Sequence, residues 1–133
     1  MKYNGRCCLL IESDPRDQEC FLEALHSVTS DTGCYAVSNG EEAIMTIQEE
    51  KFVPEYIFTE MNVAGSNGID LLKKLRAFSE LAHVPVVIYT SNPSDEIVVN
   101  AKSLGAVAIH VKTTVDTLKG ILRSYFPSRA RTR

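Results

Sequence analysis

A doubly wound α/β domain is the fold this sequence predicts, with five parallel strands and five helices about one sheet in the strand order 2-1-3-4-5. Short β-rich runs alternate with helical patterns five times, which calls for βαβ units. Runs such as Cys7-Cys8-Leu9-Leu10-Ile11 and Val86-Val87-Ile88 are apolar almost without break, as strands covered on both faces are. A length of 133 residues fits one such domain with a proper core. Right-handed crossovers then favour the order 2-1-3-4-5.

The first strand spans Arg6 to Ile11. In the helix after it, Asp14 is the cap, Pro15 takes the first helical position, and Phe21, Leu25 and Val28 recur at helical spacing. The second strand is Cys34 to Val37, after which Asn39 caps a helix that opens on Glu41-Glu42 and turns Ala43, Ile44 and Ile47 inward. Tyr56 to Thr59 forms the third strand, and the third helix starts near Asn67-Gly68 and buries Leu71, Leu72 and Leu75. The fourth strand runs from Val84 to Tyr89, and its helix begins at Ser94-Asp95, carries Ile97, Val98, Ala101 and Leu104, and stops at Gly105. Ala106 to Val111 is the fifth strand. The fifth helix, from Val115, puts Leu118, Leu122 and Tyr125 on one face despite Gly120, a residue about 1 kcal/mol worse than alanine in a helix. Residues 1–126 make up the domain, and 127–133, with Arg129, Arg131 and Arg133, are read as a solvated, frayed basic tail.

With 44% hydrophobic and 23% charged residues the composition is that of an ordinary globular domain. A formal net charge of -3 argues against nucleic acid, which calls for a basic stripe. No apolar run approaches the length of a membrane span, and Met1-Lys2-Tyr3-Asn4-Gly5 lacks the apolar stretch of a signal peptide. A cytoplasmic location and no membrane partner are therefore expected. Cys7 and Cys8 are adjacent on a strand and point to opposite faces, and Cys20 and Cys34 have no ligand partner nearby in sequence, so all four read as thiols that pack as small hydrophobes. His26, His83 and His110 have no nucleophile elbow near them, and no enzyme is expected.

In an open parallel sheet, ligands collect outside the carboxyl ends of the strands where the strand order reverses. That point lies between the first and third strands, so Glu12 and Glu60 should face one crevice. Thr90 follows the fourth strand and Lys112 the fifth, which brings a hydroxyl and an ammonium to the same place. Core packing does not explain four strand ends that each deliver a polar group. Phosphoryl-transfer chemistry does: clustered carboxylates supply the hard oxygens magnesium needs, while a lysine and a hydroxyl hold the phosphoryl oxygens as charge spreads over them.

The segment from Pro54 to Gly68, an apolar strand, an acidic tip and a loop closing on Asn67-Gly68, resembles the phospho-acceptor segment of a response-regulator receiver domain. Together with Glu12-Ser13-Asp14, Thr90-Ser91 and Lys112, the resemblance covers residues 5–126 and is closest in kind to the single-domain chemotaxis regulators. It implies a flavodoxin-like winding. In that family the first strand ends in two acids for metal, the third in an aspartate nucleophile, the fourth in Ser or Thr and the fifth in Lys-Pro. By that resemblance Glu12 matches the first acid and Ser13 stands where the second belongs. Glu60 falls on the acceptor, Asn62 on the residue whose carbonyl binds metal, Thr90 on the switch hydroxyl and Lys112 on the phosphate-binding lysine. Ile109 replaces a common switch aromatic and Thr113 replaces the proline, so the Lys112-Thr113 peptide is expected trans.

These departures point one way. Ser13 leaves the metal site short of a carboxylate; Asp14 could substitute, although its position suits a helix cap better. The extra methylene of Glu60 moves the carboxylate by about 1 Å, a displacement that can cost around a hundredfold in rate. The expectation is a stand-alone pseudo-receiver of a two-component or phosphorelay system, with a weak magnesium site at most on Glu12 and Asn62, acting by contact with a histidine kinase or other signalling proteins as a monomer or weak homodimer. Glu60 and Lys112 are expected to form an ion pair that either imitates a phosphorylated state or serves structure alone. Its contact surfaces would be the first helix, with Arg16, Asp17 and Gln18 exposed, and the face of the fourth helix, fifth strand and fifth helix, with Lys102, Ser103, Lys119 and Arg123. One alternative is a regulator phosphorylated by a histidine kinase, with Asp14 restoring the metal site. The other is a flavodoxin-like cofactor-binding domain, which the acidic Glu12-Ser13-Asp14-Pro15 loop disfavours.

Overall fold

A computed structural model describes residues 6–61 and 68–127. Its elements run β1 (Arg6–Ile11), α1 (Pro15–Val28), β2 (Thr32–Val37), α2 (Gly40–Glu50), β3 (Tyr56–Thr59), α3 (Gly68–Ala77), a 3₁₀ turn (Ser79–Leu81), β4 (Val86–Thr90), α4 (Asp95–Ser103), β5 (Ala106–Val111) and α5 (Val115–Tyr125). Every strand pair is parallel and the order is β2-β1-β3-β4-β5, as the sequence predicts.

Alternation of side chains along the strands gives the sheet two cores. On one face Leu9, Ile11, Ile57 and Ile88 cluster with Ala43 and Ile47 of α2, Leu71, Leu72 and Leu75 of α3 and Ala101 of α4. On the other, Cys8, Leu10, Phe58 and Val87 cluster with Phe21, Ala24 and Leu25 of α1 and Leu118 and Leu122 of α5. The helix starts use the caps that the residue types call for: Asp14, Asn39, Ser94 and Thr114 each accept a hydrogen bond from a backbone N–H of the first turn.

Three strand boundaries differ from the sequence expectation, the smallest being that β4 runs one residue further, to Thr90. β2 begins at Thr32, because Thr32 and Gly33 pair with Arg6 and Cys7 of β1 and the ladder overrides the turn preference of the glycine. β4 begins at Val86 because Pro85 has no N–H to give a ladder; its carbonyl accepts from Ile57 N–H at 3.0 Å, while Val84 N–H is spent on Leu81. Gly68 lets α3 start hard against the end of β3, since a Cβ there would lie 2.6 Å from the Met61 carbonyl oxygen. Gly105, at φ +91°, takes the left-handed conformation that ends α4.

Gly120 has no such reason, because a Cβ there meets nothing within 4 Å and the residue is exposed in mid-helix. Gly120→Ala should therefore stabilise the fold by about 0.5–1 kcal/mol, read as a higher urea midpoint at unchanged m-value.

Among the described residues no helix is long and apolar enough to cross a membrane. Cys7 and Cys8 are buried and all four cysteines are free. Burial, with Cys34 and Glu55 nearby, pushes the Cys7 thiol from its ordinary 9.0 to about 12. A hydrogen bond with Cys34, its partner across the β1–β2 ladder, and burial push Cys8 well above its usual value. Both thiols stay protonated and unreactive at neutral pH.

Candidate functional site

The site forms where three neighbouring strand ends and β5 run out together. Glu12 follows β1 and its N–H donates to Val37 at 2.9 Å, Glu60 follows β3 and donates to Ile11 at 3.1 Å, and Lys112 follows β5 and donates to Thr90 at 2.8 Å. The backbone of each residue is thus fixed by one more rung beyond its strand. Glu12 and Glu60 are 5% and 6% exposed and Thr90 is fully buried.

Glu60 is held through both carboxylate oxygens. Oε1 lies 2.7 Å from Lys112 Nζ. Oε2 accepts from Thr90 Oγ1 at 2.6 Å and from Met61 N–H at 2.7 Å. Lys112 also donates to Glu12 Oε1 at 2.7 Å and to Asp17 Oδ2 at 2.8 Å, and Glu12 Oε2 accepts from Asp14 N–H at 3.1 Å. The ion pair expected between Glu60 and Lys112 is therefore present, inside a larger cluster.

Asp17 is a correction to the sequence reading, which left it exposed on α1. It lies on the inward stripe with Phe21, Leu25 and Val28, at spacings of four, eight and eleven residues, so its carboxylate points at the strand ends. Gln18 is half-buried for a related reason: its Nε2 donates to the carbonyls of Glu12 at 2.6 Å and Val37 at 3.3 Å, tying α1 to both strand ends. Arg16 is exposed as expected, as are Lys102, Ser103 and Arg123, whereas Lys119 is half-buried.

Ser13 is half-buried beside the cluster. Asp14 is exposed, with its carboxylate turned to the helix, accepting from Arg16 N–H at 2.9 Å. Asn62 lies outside the described residues. Ile109 is half-buried against the core under α3 and α4, the packing a β-branched strand residue provides. The Lys112-Thr113 peptide is trans. His110 faces α5, where its Nε2 meets the Tyr125 hydroxyl at 3.0 Å, and burial lowers its pKa.

The electrostatics centre on Lys112. Burial pulls its pKa down, but the hydrogen bonds to Asp17, Glu12 and Glu60 outweigh that and hold it well above the ordinary lysine value. It is an ammonium at any ordinary pH. One ammonium against three carboxylates leaves a formal excess of two negative charges, which opposes entry of an anion. Lys112 also sits 5.9 Å from the Tyr89 ring centroid, and burial raises the Tyr89 pKa although the nearby ammonium works against this.

Magnesium needs several oxygen ligands, at least some of them free carboxylate oxygens. Here the ammonium stands between the carboxylates, Ser13 adds no charge, Asp14 faces its own helix, and among the described residues no group of three His, Cys, Asp or Glu side chains could hold a metal ion. In this arrangement these residues do not fit the ion.

Two glutamates, a hydroxyl and a lysine thus meet at the strand ends of a 2-1-3-4-5 sheet. The sequence model of the response regulator receiver domain fits residues 9–123. The chain belongs to the receiver-domain family. Chemotaxis protein CheY-3 of Vibrio cholerae is 38% identical over 73 residues, 54% of this chain and 56% of that protein, so the match spans little more than half the length of this relative. Sporulation initiation phosphotransferase F of Bacillus subtilis is 24% identical over 72% of this chain and 75% of its own. Among solved structures, the Mn(2+)-bound form of response regulator Rcp1 superposes with a TM-score of 0.83 over 96% of this receiver domain and 99% of that chain, at 20% identity, which bears on the fold alone.

Proposed function

We propose that this receiver domain serves a two-component signalling system by protein–protein contact, without aspartyl phosphorylation. The observation that carries the reading is the state of Glu60: its carboxylate already takes the Thr90 hydroxyl, the Lys112 ammonium and the Met61 N–H. By the family resemblance, the hydroxyl and the ammonium are the donors a phosphoryl group would need, and the glutamate fills them from within. The longer side chain makes this reach available, while the poor fit to magnesium removes the ion that would neutralise charge on a transferring phosphoryl group. Glu60, Thr90 and Lys112 thus form a lock that keeps one conformation without phosphate.

Its partners are then other proteins, a histidine kinase among them. Two surfaces support contact. One is the outer face of α1. The other is the α4-β5-α5 face, where Val99, Val107, Val111 and Val115 are exposed together with Lys102, Ser103 and Arg123.

The test is the intact mass of the protein after incubation with magnesium and a small-molecule phosphodonor, beside a variant carrying Glu60→Asp and Ser13→Asp. An added phosphoryl group on the variant alone is the expected result. An added group on the wild type would make this a phosphorylated regulator and overturn the reading.

A further inference from the structure

We propose that Asp17 is the positioning residue through which helix α1 grips Lys112, and that it is the point at which the lock opens. This deepens the reading of Glu60 and Lys112 given above and rests on it. An ammonium has three N–H donors. Those of Lys112 face three carboxylates, Glu12 and Glu60 at 2.7 Å and Asp17 at 2.8 Å, so the lysine has no donor to spare.

The three partners are not equivalent. The side chains of Glu12 and Glu60 are 6% and 7% exposed and that of Asp17 is 39% exposed. Parting Lys112 from either glutamate strands a buried charge, whereas water takes over for Asp17 at little cost. Opening therefore begins at Asp17. The lysine has somewhere to go, since a cavity of about 90 Å³ lined by Asp17, Cys20, Tyr89, Thr113 and Thr114 adjoins it.

Asp17 shares its helix face with Phe21 and Leu25, both packed under the sheet. A shift of α1 that withdraws Asp17 must move that packing too, so contact on the outer face of α1 is felt at Lys112. The latch reports from a docking surface to the strand-end cluster.

Lysine acylation by acetic anhydride, read residue by residue by mass spectrometry, tests this on the intact protein. Asp17→Asn should raise labelling of Lys112 about fivefold, with the exposed Lys73 and Lys102 unchanged. Asp17→Glu, which keeps the charge, should stay close to wild type. Equal labelling of Lys112 in wild type and Asp17→Asn would overturn the proposal. A rise shared by all lysines in both variants would assign the effect to a loosened helix and overturn it too. Glu60→Gln, run in parallel, reads the lock separately: if it leaves Lys112 labelling unchanged while Asp17→Asn raises it, the lock at Glu60 fails and the latch stands.

Discussion

Replacing Lys112 with methionine should destabilise the domain by about 3–5 kcal/mol, the usual penalty for removing one partner of a buried ion pair. Methionine fills the stem's volume, so packing changes little and the loss is electrostatic. What remains is Glu12 and Glu60, each about one-twentieth exposed and both deprived of the ammonium they share. The asymmetry of buried polar groups gives a second arm to the experiment: adding Glu12→Gln and Glu60→Gln to Lys112→Met should recover much of the loss, because the stranded charges go with their partner. Urea unfolding of the three proteins checks both arms. A single variant within 1 kcal/mol of wild type would mean that the carboxylates find water or protons more easily than their burial implies.

The same lysine sets part of the alkaline limit. Its folded pKa is raised above the ordinary 10.5, so its contribution is fully present below that value and is lost as pH rises beyond it. The buried thiols act earlier with the same sign. Cys7, raised from 9.0 to about 12, and Cys8, raised as well, lose a proton in the unfolded chain first, and stability falls from pH 9 upward. The decline is expected to start near 9 and to steepen from 10 upward, where Tyr89 and Tyr125, both raised by burial, act with the same sign and Lys112 follows. Lys112→Met should keep the onset near 9 and flatten the part of the decline above 10.5.

Much of the fold was legible because each level of the sequence agrees with the next. Apolar runs, caps at Asp14, Asn39 and Ser94, and stops such as Gly105 all place the same five units, and the winding follows from their order. The strand-end residues were legible for a topological reason: Glu12, Glu60, Thr90 and Lys112 each interrupt or follow an apolar run, and polarity at four carboxyl ends converges by geometry alone. Asp17 was not read, although its signal was available in the spacing to Phe21 and Leu25. A charged residue in a first turn is ordinarily counted toward the helix dipole and the solvent, and that habit hid an inward-facing acid. Gln18 and Arg76 left no pattern at all, since their partners are backbone carbonyls, which every residue carries.

Arg76 shows what such unpatterned contacts are worth, and Arg76→Ala is expected to cost about 2–3 kcal/mol. Near the end of α3, the guanidinium donates through Nε to Leu104 at 3.2 Å, through one terminal nitrogen to Leu81, Ala82 and Val84 at 3.1, 3.3 and 2.7 Å, and through the other to Gly105 at 2.9 Å. These carbonyls belong to the 3₁₀ turn before β4 and to the turn that ends α4, segments whose last carbonyls have no partner within their own helix. One planar fork therefore clamps the entry of β4 to the entry of β5. Hydrogen bonds to a charged donor contribute about 1.5–3 kcal/mol each where buried, but Ala82 is exposed and its carbonyl turns readily to water, so the cost falls well short of a sum over five. Arg76→Lys should recover less than half of it, because a point-charge ammonium cannot span acceptors on two turns at once. Hydrogen exchange adds the discriminating measurement. If the clamp is local, the amides of Val84 and Gly105 lose protection in Arg76→Ala before those of Leu9 and Ile57 do; uniform loss across the sheet would show that the arginine supports the core as a whole, not the two turns it touches.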